Sequence, residues 1–424
     1  MAILENGLEF DSPMMNKVYQ HFDPAMLDRG EIRSVLQKQI YQPHIRNSIR
    51  PKMKIALAVG SRGIRHLSFI VRTVIEILHD LGASPIIVPA MGSHGGGTPE
   101  GQRNVLSSYG ITEETMGVPI DPSMETLELG EVQGVPIHFS KAALESDLII
   151  PICRIKPHTD FKGPIESGVY KMLSIGLGKH KGAASIHRAG FPSFSTLIPG
   201  AGQFITDHAP VVFSVAVVEN SYDEVENIYV IPKDRIAMEE PKLLAKAKSL
   251  LAKINISPID FLIVDQIGKD ISGEGMDPNV TGRSVFPVAF EDVSAIKRIA
   301  VLDLTEETHG NATGIGMADL TTMRCFKKIN LQVTYANVIT AGLFGSAKMP
   351  LLLENDREVL AVGLKSATLV APQQARVVRI KNTLQLTEFW VSEAIINQLL
   401  TMNHFTITDE KRPFTFDSEG NLDW

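Results

Sequence analysis

Short apolar runs alternate with glycine-containing turns and amphipathic stretches along most of the chain. Lys54-Ile-Ala-Leu-Ala-Val reads as a buried strand running into the turn Gly60-Ser61-Arg62-Gly63, and 3.6-residue periodicity predicts a helix from about His66 to Leu81. A second strand, Pro85-Ile-Ile-Val-Pro, ends at Met91-Gly-Ser-His-Gly-Gly-Gly. Thr98-Pro99-Glu100 then has the form of an N-cap followed by proline at the first helical position. Asp147-Leu-Ile-Ile-Pro-Ile and the loop after it repeat the unit. Strand, glycine loop and helix in succession predict an α/β fold with parallel sheets. In such sheets ligands collect beyond the carboxyl ends of the strands, where Arg62, His94 and His158 fall.

An Ala/Lys/Leu-rich helix is predicted from Glu239 to Lys253, before Ser257-Pro258, and a fresh strand pattern starts at Asp260-Phe-Leu-Ile-Val-Asp. The alternation continues with Lys297-Arg-Ile-Ala-Val-Leu-Asp-Leu, a glycine-rich stretch from His309 to Gly316, and a helix from Ser392 to Leu400. The expected architecture is two α/β domains, 1–257 and 258–424, with an active-site cleft between them. The length of 424 residues agrees with this division, since domains run to roughly 150 residues each.

Composition narrows the function. A net charge of −7 provides no basic footprint for nucleic acid or anionic membrane. Cys153 and Cys325 are too few for a disulfide framework or a thiolate metal site, which fits a reducing cytoplasm. The longest apolar runs, Val211–Val218 and Leu148–Cys153, fall far short of the ~18 residues of a membrane span, and the start of the chain lacks the pattern of a secretory leader. Small anions remain possible ligands wherever positive charge is concentrated.

Such a place is the segment from Arg154 to Gly182, which intersperses Lys156, His158, Lys162, Lys171, Lys179, His180 and Lys181 with glycines. Gly176-Leu-Gly-Lys-His-Lys-Gly superficially suggests a phosphate loop, but lacks the required spacer and the Ser or Thr after lysine. His94, His158 and His187 lie in or just after glycine- or proline-bounded loops. Imidazole is the side chain best suited to move protons near neutral pH, and the commonest metal ligand. A lone loop histidine is usually structural or merely exposed, so it is their joint placement that counts.

In order and spacing, Ser61-Arg62, His94, Pro157-His158, Lys171 and His187 resemble the lactate racemase superfamily, enzymes that use a nickel-pincer nucleotide. The resemblance extends from about Lys54 to Gly190. It implies that Ser61 and Arg62 contact cofactor or substrate, that His94 and His158 are paired acid/base groups, that Lys171 joins the cofactor covalently, and that His187 ligates nickel. The implied cofactor is nickel pyridinium-3,5-bisthiocarboxylic acid mononucleotide. Val59 stands where the family has aspartate, Ile175 where proline is usual, and the gap from His158 to Lys171 is longer. Lys162, Lys179 and Lys181 therefore stay open as alternatives for the attached lysine.

The reaction implied is racemisation or epimerisation of a 2-hydroxy acid through a 2-keto acid, and the partners implied are that substrate and the cofactor-making enzymes. Protein made without that pathway is expected to be apo. In the second half, Asn279 and Arg283 of the loop 271–283, together with His309, are candidate substrate contacts, although Asp277-Pro278 and Asn279 are also routine turn formers. Those polar loops suit a polyhydroxylated sugar acid. Two other readings are a metal hydrolase at His94, His158 and Asp160, and a non-catalytic protein that holds an organic anion through Arg62 and Lys156. The sequence does not indicate an oligomeric state.

Overall fold

The computed structural model describes residues 12–61, 63–286, 290, 292–367 and 371–424. The fold is mixed α/β with parallel-strand sheets, as the sequence predicts. Among the described residues no helix is long and apolar enough to cross a membrane.

Two compact units form, one of residues 23–251 and the other of residues 252–424 with the described residues up to Phe22. The break between Leu251 and Ala252 lies just before the expected boundary at 257. The first strand, β1 (Met15–Gln20), leaves the half to which the sequence assigned it, because its antiparallel partners are far along the chain, at Glu388–Ser392 and Phe405–Arg412. Pairing across nearly the whole chain leaves no local signal in the sequence.

In the unit 23–251, the strands are β2 (Lys54–Val59), β3 (Ser84–Pro89), β4 (Thr126–Val132), β5 (Val135–Ser140), β6 (Leu148–Arg154), β7 (Phe213–Glu219) and β8 (Val225–Pro232). Five of them form a sheet in the order β3-β2-β6-β7-β8, parallel except for the β7–β8 pair. The β4–β5 hairpin stands apart from it. The predicted helix near 66–81 spans Leu67–Asp80 and buries Ile70, Val71, Val74, Ile77 and Leu78 against Leu57, Val59 and Ile87 of the sheet. Thr98 caps the next helix, Pro99–Ser108, by accepting the Gly101 N–H. After β2 the chain turns to β3 on one side and then crosses to β6 on the other. This reversal opens a crevice beyond the carboxyl ends of β2 and β6.

The other unit holds β9 (Ile259–Ile267), β10 (Ile296–Leu304), β11 (Leu320–Thr322), β12 (Leu351–Leu353), β13 (Val377–Ile380), β14 (Glu388–Ser392) and β15 (Phe405–Arg412). Its sheet runs β12-β11-β10-β9-β13-β14-β1-β15, parallel from β12 to β13 and antiparallel beyond. The helix Asp356–Ala367 lies on this sheet so closely that a Cβ at Gly363 would come within 2.2 Å of the Phe261 ring. Alanine gains about 1 kcal/mol over glycine in a helix interior, but overpacking a well-filled core costs about 1–3 kcal/mol. Gly363→Ala is therefore expected to lower stability to urea unfolding despite the better helix former. An increase in stability would show that the helix can move away from β9 without loss.

Candidate active site

Three loops gather at the carboxyl edge of the first sheet. Gly60-Ser61 follows β2, Ala90–His94 follows β3, and Ile155–Gly168 follows β6. Glu219, at the end of β7, pairs with Arg154 at the end of β6 and accepts the backbone N–H of Arg65 at 2.8 Å, tying two of the loops together. The Tyr109 hydroxyl donates to the Ser61 carbonyl at 2.7 Å. Arg62 lies outside the described residues.

His94 precedes a single turn of 3-10 helix, Gly95–Gly97, and its Nδ1 is 2.9 Å from the Met91 carbonyl. Its loop is fastened from below. The Gly92 N–H donates to the Gly176 carbonyl at 3.0 Å, and Gln102 Nε2 donates to the Gly92 carbonyl at 2.8 Å. Lys179, wholly buried, donates to the Pro89 carbonyl at 2.7 Å and reaches Gln102 Oε1 at 3.4 Å. Burial lowers its pKa to about 8.

The loop after β6 is built around the buried carboxylate of Glu166. Glu166 accepts the His158 backbone N–H at 2.8 Å, Lys248 Nζ at 2.8 Å and Lys162 Nζ at 3.4 Å. Lys162 also donates to the His158 carbonyl at 2.8 Å. His158 Nδ1 accepts the Asp160 backbone N–H at 3.1 Å, and Asp160 Oδ2 lies 3.6 Å from the same nitrogen.

Lys171 ends a one-turn helix, Val169–Lys171, that runs directly into a π-helical turn, Met172–Gly176. Single π turns inside helices are rare and concentrate at functional sites. The following helix, Lys179–Arg188, carries His187 in its last turn. Packing around His187 desolvates its ring and lowers its pKa to about 4, with Lys171 and His94 near enough to add positive charge against protonation. The residue as a whole keeps solvent-exposed surface, and its ring is neutral at pH 7.

Phenylalanines join the histidines. The His158 ring is 4.6 Å from Phe161 and 6.2 Å from Phe191, while His187 is 5.7 Å from Phe191 and 5.3 Å from Phe194. His94, His158, Lys171 and His187 are thus brought into one neighbourhood with an apolar wall. Of the alternative lysines, Lys179 is buried on a carbonyl, Lys162 is committed to Glu166, and Lys181 is exposed on its helix.

Glycines 176, 178 and 182 do not form a phosphate loop. They lie in or just before helical turns, where a Cβ would come within 2.6 Å of the Ala90 carbonyl oxygen, 2.5 Å of the Ser174 carbonyl oxygen and 3.1 Å of the His138 carbonyl oxygen respectively. Close backbone packing explains them.

The second-half candidates are engaged differently. Asn279 is buried in a turn with Asp277, which caps the short helix Pro278–Thr281. Arg283 pairs with Asp319 at 2.7 Å and donates to the carbonyls of Met317 and Lys297, near the amino end of β10, opposite the ligand edge of that sheet. Ion pairing has taken that guanidinium away from the expected loop site. His309 is exposed in the turn after β10 with a left-handed backbone, φ 49°. Among the described residues no group of three His, Cys, Asp or Glu side chains is arranged to hold a metal ion.

Sequence reading missed Glu166, Glu240 and the phenylalanine cluster. Glu240 is fully buried and accepts the N–H groups of Val169 and Tyr170, at the start of the turn that presents Lys171. A Cβ at Gly168 would lie 2.1 Å from Glu240 Oε1, so only glycine admits this carboxyl group. No pattern in the sequence links positions 168 and 240.

The fold is that of an α/β protein with loop histidines gathered at the carboxyl edge of a parallel sheet. Residues 12–194 match the lactate racemase N-terminal domain family. Among solved structures, the lactate racemase apoprotein from Thermoanaerobacterium thermosaccharolyticum is similar over 89% of this chain and 95% of its own, with 13% identity and a TM-score of 0.52. At that identity the likeness is one of fold. A protein from Thermotoga maritima solved by a structural genomics consortium is similar over 67% of this chain and 72% of its own, at 16% identity and a TM-score of 0.44. No curated protein matches the chain.

Burial raises the Glu240 pKa from the ordinary 4.5 to about 8, and its Oε1 has no hydrogen-bond partner in the structure. The folded protein therefore holds a proton at neutral pH that the unfolded chain releases. The stability this group contributes is full below about pH 4.5 and is lost as pH rises through about 8. Glu240→Gln keeps an acceptor for the two N–H groups and removes the titration. Melting curves from pH 5 to 8.5 should show the variant gaining on the native protein as pH rises, and parallel curves would refute the assignment.

Proposed function

We propose that this protein is a nickel-pincer nucleotide-dependent racemase or epimerase of a 2-hydroxy acid. The observation that carries the reading is the gathering of His94, His158, Lys171 and His187 at one sheet edge, in a chain whose N-terminal part matches the lactate racemase N-terminal domain. Deprotonating Cα beside a carboxylate is difficult, because the resulting dianion needs strong stabilisation. When bound, the cofactor supplies a reversible hydride acceptor, which avoids the carbanion.

The residues present fit such a group. His187 is neutral at pH 7, as a single imidazole ligand must be. Lys171 stands near it as the attachment point, on a turn whose start is fixed by Glu240. Before and after the change at Cα, an imidazole must take the substrate hydroxyl proton and an imidazole must return one, and His94 and His158 are suited to these tasks. Phe161, Phe191 and Phe194 pack on one another and give His158 and His187 an apolar wall on one side. Lys156, in the same loop as His158, and Arg62 are the cations for the substrate carboxylate. A cytoplasmic location belongs to this reading, as do dependence on cofactor-making enzymes and a preference for polyhydroxylated acids.

Two measurements test it. Protein co-produced with the cofactor-making enzymes should carry a covalent adduct by intact mass and one nickel per chain, both lost in Lys171→Ala and both kept in Lys162→Ala. Absence of adduct and nickel under those conditions refutes the assignment. In loaded protein, His94→Ala and His158→Ala should each reduce turnover by about 10²–10⁴-fold, the usual worth of a general acid or base. The substrate preference fails if lactate is turned over faster than an aldonic acid.

A further inference from the structure

The two imidazoles are wired oppositely at Nδ1. A carbonyl oxygen can only accept, so the 2.9 Å contact of His94 with Met91 requires a proton on Nδ1 and places the lone pair of the neutral ring on Nε2. A backbone amide can only donate, so the 3.1 Å contact from Asp160 requires a bare Nδ1 on His158 and places the proton on Nε2. In this arrangement His94 is ready to accept a proton at Nε2 and neutral His158 is not.

Asp160 offers the same His158 nitrogen a second partner. Its Oδ2 lies 3.6 Å from Nδ1, and its backbone N–H lies 3.1 Å from it. The amide favours the tautomer with the proton on Nε2. The carboxylate favours a proton on Nδ1, and with it a basic Nε2. A small rotation of the ring exchanges one partner for the other.

We propose that His94 and His158 start from opposite tautomers and that Asp160 is the positioning residue that turns His158 into a proton acceptor, by exchanging its backbone N–H for its carboxylate at Nδ1. This deepens the reading of His94 and His158 as the acid/base pair and rests on it. In one direction the substrate O–H breaks, its proton forms an N–H at His94 Nε2, and the Nδ1 proton stays on the Met91 carbonyl. Returning a proton to the substrate oxygen requires His158 as the imidazolium, its second proton taken from solvent water at Nδ1 beside the Asp160 carboxylate; the transfer then breaks the Nε2–H bond and leaves the neutral ring protonated at Nδ1. In the opposite direction that tautomer accepts the substrate proton at Nε2. A ring left in its resting tautomer gives only a hydrogen bond, because losing the Nε2 proton from it would create an imidazolate.

Other charges act on His158 besides Asp160. From its own loop come Lys162 and Glu166, through the His158 carbonyl and N–H, and Lys248 reaches Glu166 from the helix Ile236–Ser249. His187 lies on the far side of Phe191. None of these changes in Asp160→Asn, so the substitution isolates the carboxylate.

The test uses nitrogen-15 imidazole spectra of the full chain, with signals assigned through His94→Gln and His158→Gln. These report the protonated ring nitrogen directly and need neither cofactor nor turnover, so they decide this proposal whatever the adduct experiment gives. At pH 8 the Nδ1–H form is expected at His94 and the Nε2–H form at His158. Asp160→Asn should lower the His158 titration midpoint by about one pH unit, the lower end of the effect of an adjacent opposite charge, and leave that of His94 in place. Asp160→Glu should restore most of the shift. The same tautomer at both rings in the native protein overturns the proposal, and so does a His158 midpoint that does not respond to Asp160→Asn. If Asp160→Asn fails to fold, the native spectrum and Asp160→Glu still decide it.

Discussion

The site depends on an ammonium group kept out of water. Lys179 has no exposed surface, a left-handed backbone at φ 54°, and two neutral oxygen partners, the Pro89 carbonyl and Gln102. Burying an unpaired charge costs several kcal/mol, and its pKa falls to about 8 in consequence. In return, one side chain fastens the end of β3, the helix Pro99–Ser108 and the start of the helix that carries His187. The Gly92–Gly176 bond lies beside it. Together with that bond, this fastening sets the loop of His94 against the helix of His187, where His94 adds positive charge against protonation of His187.

Glu166 does for the loop after β6 what Lys179 does for the loop after β3, with the sign reversed. It is a buried carboxylate that meets two lysines and the backbone N–H of His158. The two loops are thus held by buried charges from outside the reacting space, which leaves the histidine rings to the phenylalanine wall. That division has a physical advantage. Charges that fix backbone are saturated by their own partners, so they do not compete with substrate for the imidazoles.

Much of this was legible in the sequence, for identifiable reasons. The strands at 54–59, 84–89, 148–154, 259–267 and 296–304 are largely buried on both faces and therefore read as apolar runs. Their loops inherit the carboxyl edge, which is why His94 and His158 stood out. The helix expected from Glu239 begins earlier, at Ile236, with Pro241 inside it. Contacts between distant positions were not legible. β1 pairs with strands near the far end of the chain, Glu240 reaches Gly168, and Arg283 is drawn to Asp319. Glycines 176, 178 and 182 lack the motif of a phosphate loop, but their own role was not legible for the same cause. Their local pattern resembles an anion loop, and only the chain packed over them shows that they serve close approach.

The donor set discriminates between chemistries. A catalytic zinc site of the hydrolytic kind takes three protein ligands and leaves one position for water. Among the described residues His94, His158 and Asp160 are not arranged as such a group, and Asp160 faces His158. His187 is a single neutral imidazole beside a lysine. One nitrogen binds a metal ion weakly, so it suits a metal that arrives with other donors already attached, and a neighbouring primary amine suits a covalent tether for the group that carries them. Lys171 and His187 lie at the two ends of a segment in which a one-turn helix, a π turn, a break at 177–178 and the helix Lys179–Arg188 follow one another. A stretch with that interruption sets the distance between amine and imidazole by backbone geometry, before any ligand is present.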